Sequence, residues 1–291
     1  MPSNVTVEVS ERVATITFNS PKTLNAITLT DFDAFVNALR AIDARDDVLV
    51  TIWQANGTWF SSGGDITSLI DWSKCTTVRG AFMHAIAAAN TDFTKATDCP
   101  LAVYTQQDPG RRSQWTGDGA LCRHVHFAFG TRVPALTLAS ACIGFADFIY
   151  ALPCVWLSAP FALLGTVAEG GCSVSFRNKM GAAKANEVLI WGKKKGAQEL
   201  LECGFINEIL PEQPVPEFHN AVRRIVLAEL EGLDPAALLG IKRLIKAGLN
   251  DQNDFDAVNL RETYALAERF ASGVPADRLG KVARKELKHK L

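Results

Sequence analysis

Glu169 is the residue of this sequence best suited to moving a proton. It follows the apolar run at residues 161–165, and nothing nearby in sequence offers it a cationic partner. Because loss of hydration disfavours a charged carboxylate, a lone glutamate beside apolar surface can be tuned to take and give a proton. The structural alternative is that Glu169 only precedes a glycine-started helix, predicted at residues 170–180, whose dipole favours an acidic residue there.

A glycine turn, Ser62-Gly63-Gly64-Asp65-Ile66, is the second candidate for chemistry. Glycines allow backbone amides to approach a ligand closely, and such amides can hold a negative charge that develops during a reaction. The alternative is an ordinary helix entry in which the Asp65 side chain caps the first turn. Neither this turn nor Glu169 decides the function alone.

Composition narrows the function classes. The 291 residues are 48% hydrophobic and carry a formal charge of -1, which predicts a globular chain without electrostatic attraction to nucleic acid. Seven cysteines without a C-x-x-C pair indicate reduced thiols. Cys122, His124 and His126 alternate as metal ligands on a strand would, but no second ligand cluster follows, so no metal site is predicted.

Localisation is predicted from the two ends of the chain and from its longest apolar run. No basic-then-apolar leader is present, and the run at residues 151–165 is too short to span a bilayer, which predicts a soluble protein. The last residues, His289-Lys290-Leu291, are similar to a peroxisomal import signal, with His where Ser is usual. A solvated basic tail is the alternative.

Apolar periodicity indicates the elements that must position these candidates. The strands are predicted at residues 5–10 and 13–18 as a hairpin, at 48–53, at 56–60 leading into the glycine turn, and at 147–157. The helices are predicted at 28–45, with Thr28 or Thr30 as cap, and at 79–96, 182–191, 217–230, 235–247 and 254–271. This order favours a βα-repeat core followed by a helical C-terminal layer.

Taken in order, seven motifs resemble those of the crotonase, or enoyl-CoA hydratase/isomerase, superfamily. They are LNA at 24–26, FSSGGDI at 60–66, GFADFIYA at 144–151, APFALLG at 159–165, AEGGCS at 168–173, AAKA at 182–185 and GFIN at 204–207. The resemblance implies an α/β fold with a crotonase-like ββα spiral core at residues 1–200. It also implies a helical oligomerisation region at residues 201–291, in which residues 254–271 pack on a neighbouring subunit of a homotrimer or hexamer.

The resemblance also implies how a substrate is held. In this family two backbone N–H groups hold the carbonyl oxygen of a CoA thioester and stabilise the enolate that forms when the alpha proton leaves. The first donor matches Gly64 and the second aligns with Leu138, while Ala26 and residues 62–66 are expected to contact the thioester. The two glutamates of the family's hydratases align with Ala141 and Phe161, which cannot move a proton.

The isomerase subgroup instead has a single glutamate, at the position of Glu169. One carboxylate suffices for a 1,3-proton shift, so the resemblance implies conversion of 3-enoyl-CoA to 2-trans-enoyl-CoA in peroxisomal fatty-acid β-oxidation. The CoA is part of the substrate, no separate cofactor is expected, and a peroxisomal import receptor would bind the C-terminus. The alternatives are an enoyl-CoA hydratase or another crotonase of secondary metabolism, or a catalytically impaired acyl-CoA binder.

Residues 102–141 depart from the family pattern. The segment is longer than the family's strand and glycine turn, it shows no periodicity, and no glycine shapes the turn around Leu138. A one-base frame shift across Gln114-Trp115-Thr116 permits a Ser-Gly-Pro-Val-Met-Gly sequence like the missing turn. We therefore interpret the segment as a retained intron or a frameshift in the gene model.

Overall fold

The fold is built on one six-stranded sheet. A computed structural model describes residues 3–65, 72–82 and 143–287, together with the backbone of residues 125–130. The strands, in order across the sheet, are β1 (Val5–Ser10), β2 (Val13–Phe18), β3 (Val50–Ala55), β4 (Val125–Gly130), β5 (Phe148–Ala151) and β8 (Glu208–Ile209). Every neighbouring pair except the antiparallel β1–β2 pair is parallel. Strands β6 (Trp156–Leu157) and β7 (Lys195–Gly196) form a second, two-stranded sheet. The predicted α/β class is therefore confirmed.

The first three elements form where local pattern predicts them. Strands β1 (Val5–Ser10) and β2 (Val13–Phe18) make the predicted hairpin, and both residues of its turn, Glu11 and Arg12, have positive φ. That turn geometry matches the twist of the paired strands. Helix α1 (Leu29–Asp43) begins with Thr28 as its cap, and the Asp31 side chain completes the capping box.

Two strands at the centre of the sheet differ from the prediction, since β3 is shifted along the chain and β4 was not predicted. Strand β3 (Val50–Ala55) lies two residues further along the chain than expected and pairs with β2. Strand β4 (Val125–Gly130) then pairs with β3 on one side and with β5 (Phe148–Ala151) on the other. The segment interpreted as atypical therefore supplies a central strand of the sheet.

The predicted strand at residues 147–157 is wrong as a single element. After β5 the chain turns through Leu152 and Val155, and β6 (Trp156–Leu157) pairs antiparallel with β7 (Lys195–Gly196) in the second sheet. Pro153 lies in this turn, and proline has no N–H for a strand ladder. The expected strand at residues 56–60 is also absent, because β3 ends at Ala55 and irregular backbone follows.

The remaining chain is mostly helical, as expected. The helices are α2 (Phe161–Leu164), α3 (Cys172–Leu189), α4 (Ala197–Glu202), α5 (Val215–Leu230), α6 (Pro235–Gln252), α7 (Phe255–Ala271) and α8 (Val274–Ala283). Helix α3 joins two predicted helices across a kink at Gly181, whose φ of 74° is not helical. Residues 78–82 are helical, and the rest of the helix predicted at 79–96 lies outside the described residues.

One strand connects the C-terminal region to the main sheet. Strand β8 (Glu208–Ile209) pairs with β5, so the chain beyond residue 200 also contributes to the main sheet. The domain boundary at residues 200 and 201 stays a prediction. None of the helices in the described part of the chain is long and apolar enough to cross a membrane.

The largest hydrophobic cluster lies between the sheet, α1 and α3. Three aromatic rings within it connect α1, β3 and the segment before the glycine turn. The Phe35 ring of α1 lies 4.7 Å from the Trp53 ring of β3, which lies 4.8 Å from the Phe60 ring. The same cluster includes Ile27 and Phe161, and Ala168 packs against it. The glycine turn that follows Phe60 and the loop that carries Glu169 therefore border one core.

Candidate active site

The glycine turn is fixed by a short parallel bridge between Ile27 and Gly64. The Ile27 N–H donates to the Gly63 carbonyl at 2.8 Å, and the Asp65 N–H donates to the Ile27 carbonyl at 2.8 Å. In a parallel bridge, one of the two residues makes its backbone hydrogen bonds to the residues before and after its partner. Here Ile27 bonds to Gly63 and Asp65, so the N–H of Gly64 points away from Ile27. The bridge leaves that N–H available on the other side.

The neighbouring amides of the turn are already bonded. The Ser62 N–H donates to the Leu24 carbonyl at 2.9 Å, and the Gly63 N–H donates to Ser61 Oγ at 3.0 Å. Gly64 is buried, and within the described residues its N–H has no acceptor. Because a buried N–H is normally paired, this one is suited to an oxygen atom of a ligand.

Asn25 holds the backbone around the turn. Its side-chain amide donates to the carbonyls of Asn56 and Trp59 at 2.8 and 2.7 Å, and its side-chain oxygen accepts from the Ser20 N–H at 2.7 Å. Asn25 is buried and has a φ of 53°, a left-handed conformation that asparagine tolerates better than most residues. The family-type motif at 24–26 thus holds the backbone that leads into Ile27, the bridge partner of Gly64.

The loop that carries Glu169 runs between two glycines in the left-handed conformation. Gly165, with a φ of 74°, ends α2, and Gly171, also with a φ of 74°, precedes the first residue of α3. Glu169 itself is half-buried, and its backbone carbonyl accepts from the Cys172 N–H at 3.3 Å. Glu169 is therefore partly shielded from solvent, and its backbone lies directly before the N-terminus of α3.

A second carboxylate, from Glu262 on α7, lies at the same helix terminus. It accepts hydrogen bonds from the N–H groups of Gly171 and Ser173, at 2.6 and 3.1 Å, and from the Ser173 hydroxyl. Burial raises the pKa of Glu262, whereas the hydrogen bonds from Ser173 and Gly171 act in the opposite direction. Burial also raises the pKa of the Cys172 thiol well above its usual value, and the charge of Glu262 adds to this. Cys172 is therefore an inert thiol.

Glu262 was not predicted as a site residue, although the sequence contained a signal for it. Val258, Glu262 and Leu266 follow one another at a spacing of four residues on the buried face of α7. A charged residue in the middle of such a face is rarely buried unless it has partners. Its partners, however, are about 90 positions earlier in the chain, and no local pattern identifies them.

Several predicted site residues cannot be placed. Ile66, Leu138, Ala141 and the C-terminal residues His289, Lys290 and Leu291 lie outside the described residues, as do Cys122 and His124, for which no metal site was predicted. Phe161, at a hydratase glutamate position, is buried in the main core. Ala26 lies between Leu24 and Ile27, both of which bond to the glycine turn, so the structure brings Ala26 and residues 62–65 together.

Comparison with known proteins defines the family. A family model described as enoyl-CoA hydratase/isomerase matches residues 137–264, and a second model with the same description matches residues 13–95. Together they cover well over half of the chain. This chain belongs to the enoyl-CoA hydratase/isomerase family. The resemblance inferred from the sequence motifs is thereby confirmed.

Named relatives of this family member are mostly isomerases. The chain is 33% identical, over all of both chains, to the Delta(3,5)-Delta(2,4)-dienoyl-CoA isomerase of Pyricularia oryzae. It is 28% identical to the 3,2-trans-enoyl-CoA isomerase of Saccharomyces cerevisiae, over 94% of this chain and 91% of that one. The mouse enoyl-CoA delta isomerase 3, peroxisomal, is 24% identical over 92% of this chain and 74% of its own.

A solved structure supports the fold of the family member. The enoyl-CoA hydratase/isomerase from Pseudoalteromonas atlantica superposes with a TM-score of 0.73 over 97% of this chain and 98% of that one. The sequence identity is 20%, so this likeness concerns the fold alone. The predicted crotonase-like architecture is confirmed by it.

Proposed function

We propose that this protein is an acyl-CoA isomerase that converts 3-enoyl-CoA to 2-trans-enoyl-CoA in fatty-acid oxidation. The observation that carries the proposal is the N–H of buried Gly64, which points away from its bridge partner and has no acceptor among the described residues. A thioester carbonyl oxygen fits such a donor, because its charge grows as an enolate forms. The isomerase names of the relatives support the same chemistry.

In this mechanism Glu169 moves one proton and Gly64 stabilises the intermediate. The carboxylate takes a proton from the alpha carbon, and the electrons of that C–H bond move into the thioester, where the Gly64 N–H donates to the oxygen. The protonated Glu169 then returns the proton to the gamma carbon while the alpha–beta double bond forms. Atoms and charge balance, so the reaction needs no separate cofactor and the CoA remains part of the substrate.

The test is isomerisation of 3-hexenoyl-CoA by the wild type and by Glu169→Gln. Glutamine has the same shape but cannot take up a proton, so the rate is expected to fall by about 100- to 10,000-fold. Glu202→Gln, on α4, is a control that changes an exposed carboxylate outside the proposed site. Equal rates for wild type and Glu169→Gln would remove Glu169 from the mechanism. Faster addition of water to a 2-enoyl-CoA would favour a hydratase, and binding without turnover would favour an acyl-CoA binder.

A second candidate substrate is a 3,5-dienoyl-CoA. The relative with 33% identity over the full chain is named for this reaction. It begins with the same loss of an alpha proton, but the proton must return to a carbon two positions further along the chain, beyond the gamma carbon. A comparison of 3-hexenoyl-CoA with 3,5-octadienoyl-CoA as substrates would distinguish the two, and we expect the shorter shift to be faster.

Localisation and assembly complete the proposal. The C-terminal tripeptide at residues 289–291 is proposed to direct the protein to the peroxisome through an import receptor, and the peroxisomal name of one relative supports this. A fluorescent fusion with and without these residues would test it. A homotrimer or hexamer is proposed, and the exposed apolar residues Ile241, Leu244 and Ile245 of α6 support the burial of this face against another copy of the chain. Light scattering of the purified protein would measure its assembly state.

A further inference from the structure

Three side chains from α7 and α8 hold the two ends of the loop that carries Glu169. The Arg278 guanidinium donates to the Leu163 carbonyl at 2.8 Å, and the Arg269 guanidinium donates to the Gly165 carbonyl at 2.8 Å. Glu262 accepts from the N-terminus of α3. Positive groups therefore bind the carbonyls at the end of α2, and a negative group binds the amides at the start of α3, which is the favourable sign at each helix end.

Glu262 supplies a cap that the sequence of α3 does not provide. The residue at the cap position is Gly171, which has no side chain to accept from the first N–H groups. The carboxylate of Glu262 binds two of these N–H groups and the Ser173 hydroxyl, and the residue is only 7% exposed. Both carboxylate oxygens are engaged by these donors. Glu262 is therefore placed to hold the loop and not to exchange protons with a substrate.

The loop needs such a restraint because of its glycines. Gly170 and Gly171, directly after Glu169, both have positive φ, and glycine populates many backbone conformations at little cost. The bonds from Glu262 fix residues 171 and 173 relative to α7, so they also fix the direction in which the chain leaves Glu169. A general base must be held within a small distance of the proton it abstracts.

We propose that Glu262 is a positioning residue for Glu169, which it orients by binding the N-terminus of α3. This inference rests on the proposed function of Glu169 as the acid/base of the isomerisation. In this role Glu262, on the C-terminal helical layer, contributes to the rate only through the backbone of the loop that carries Glu169.

The experiment measures kcat and KM for 3-hexenoyl-CoA in Glu262→Gln. Each carboxylate oxygen accepts from one backbone N–H, that of Gly171 or that of Ser173, so the bond is lost at whichever oxygen the NH2 group of glutamine replaces. We expect kcat to fall by about 10- to 100-fold, because a small misplacement of a catalytic group has a large effect on rate. KM should change by less than about threefold, since no group that binds substrate is altered. Glu268→Gln, an exposed residue of the same helix, is the matched control and should keep wild-type kcat.

A double variant separates positioning from a general loss of structure. In the Glu169→Gln background there is no base left to position, so Glu262→Gln should lower kcat no further. Losses that multiply in the double variant, or a wild-type kcat in Glu262→Gln, would overturn the inference. If Glu262→Gln does not fold, Ser173→Ala is measured in its place. This variant removes one bond to the Glu262 carboxylate and should lower kcat several-fold, and an unchanged kcat would overturn the inference. Failure of the wild type to isomerise any 3-enoyl-CoA refutes the proposed function itself, which is a different result.

Discussion

Replacement of Gly171 by alanine should destabilise the protein through two separable effects. Its φ of 74° disfavours any side chain, at a cost of about 1–2 kcal/mol. A Cβ atom at this position would also lie 2.6 Å from Cζ and 3.0 Å from Cε2 of Phe145, and such overpacking costs about 1–3 kcal/mol. We therefore expect Gly171→Ala to lower the free energy of unfolding by about 2–5 kcal/mol.

Urea denaturation of matched variants would separate the two effects. Gly232 has nearly the same φ, 76°, but apart from its neighbours in the chain no atom lies within 4 Å of the position of its Cβ, so Gly232→Ala should show only the conformational cost. In a Phe145→Leu background, which lacks the ring atoms Cε and Cζ, the extra cost of Gly171→Ala should largely disappear. The reasoning is refuted if Gly171→Ala and Gly232→Ala lower the free energy of unfolding equally in the wild-type background.

Two further predictions concern stability. Burial lowers the pKa of His219 from its usual value near 6.5 to about 4, so between these pH values the unfolded chain binds a proton that the folded chain does not. The free energy of unfolding should therefore decrease by up to about 3 kcal/mol as the pH falls through this window. The urea midpoint of His219→Phe should depend less on pH than that of the wild type, and an equal pH dependence of the two midpoints would contradict this. Asn25→Ala removes three side-chain hydrogen bonds of a buried residue and should lower the free energy of unfolding by about 3 kcal/mol. Asn178→Ala, at an exposed position, should change it by less than about 0.5 kcal/mol. A similar cost for both asparagines would show that these bonds do not stabilise the turn.

Local patterns predicted the parts of the fold that depend on neighbours in sequence. The hairpin of β1 and β2 follows from alternation, and α1 is capped by Thr28, one of the two residues predicted as its cap. The kink of α3 at Gly181 separates two helices that had been predicted as separate elements. In each case the deciding interaction spans a short stretch of chain.

The features that depend on distant parts of the chain were not predictable in the same way. Strand β4 is defined by its pairing with β3 and β5, and it lies in a segment whose pattern did not match the family. The orientation of the Gly64 N–H follows from its bridge to Ile27, which a glycine motif alone does not show. The contact between Glu262 and Gly171 joins residues that are far apart in sequence, so only the assembled structure shows it.

The bonds from α7 and α8 to the Glu169 loop have a consequence for synthesis of the protein. The loop leaves the ribosome before the residues that fix it, because Arg269 and Arg278 lie more than 100 positions after the carbonyl groups that they bind. A chain that folds in order from its N-terminus would therefore have its sheet and α1 in place while the loop still lacked these contacts. Nascent chains arrested before α7 should consequently be without enzymatic activity, even where their N-terminal part is already folded.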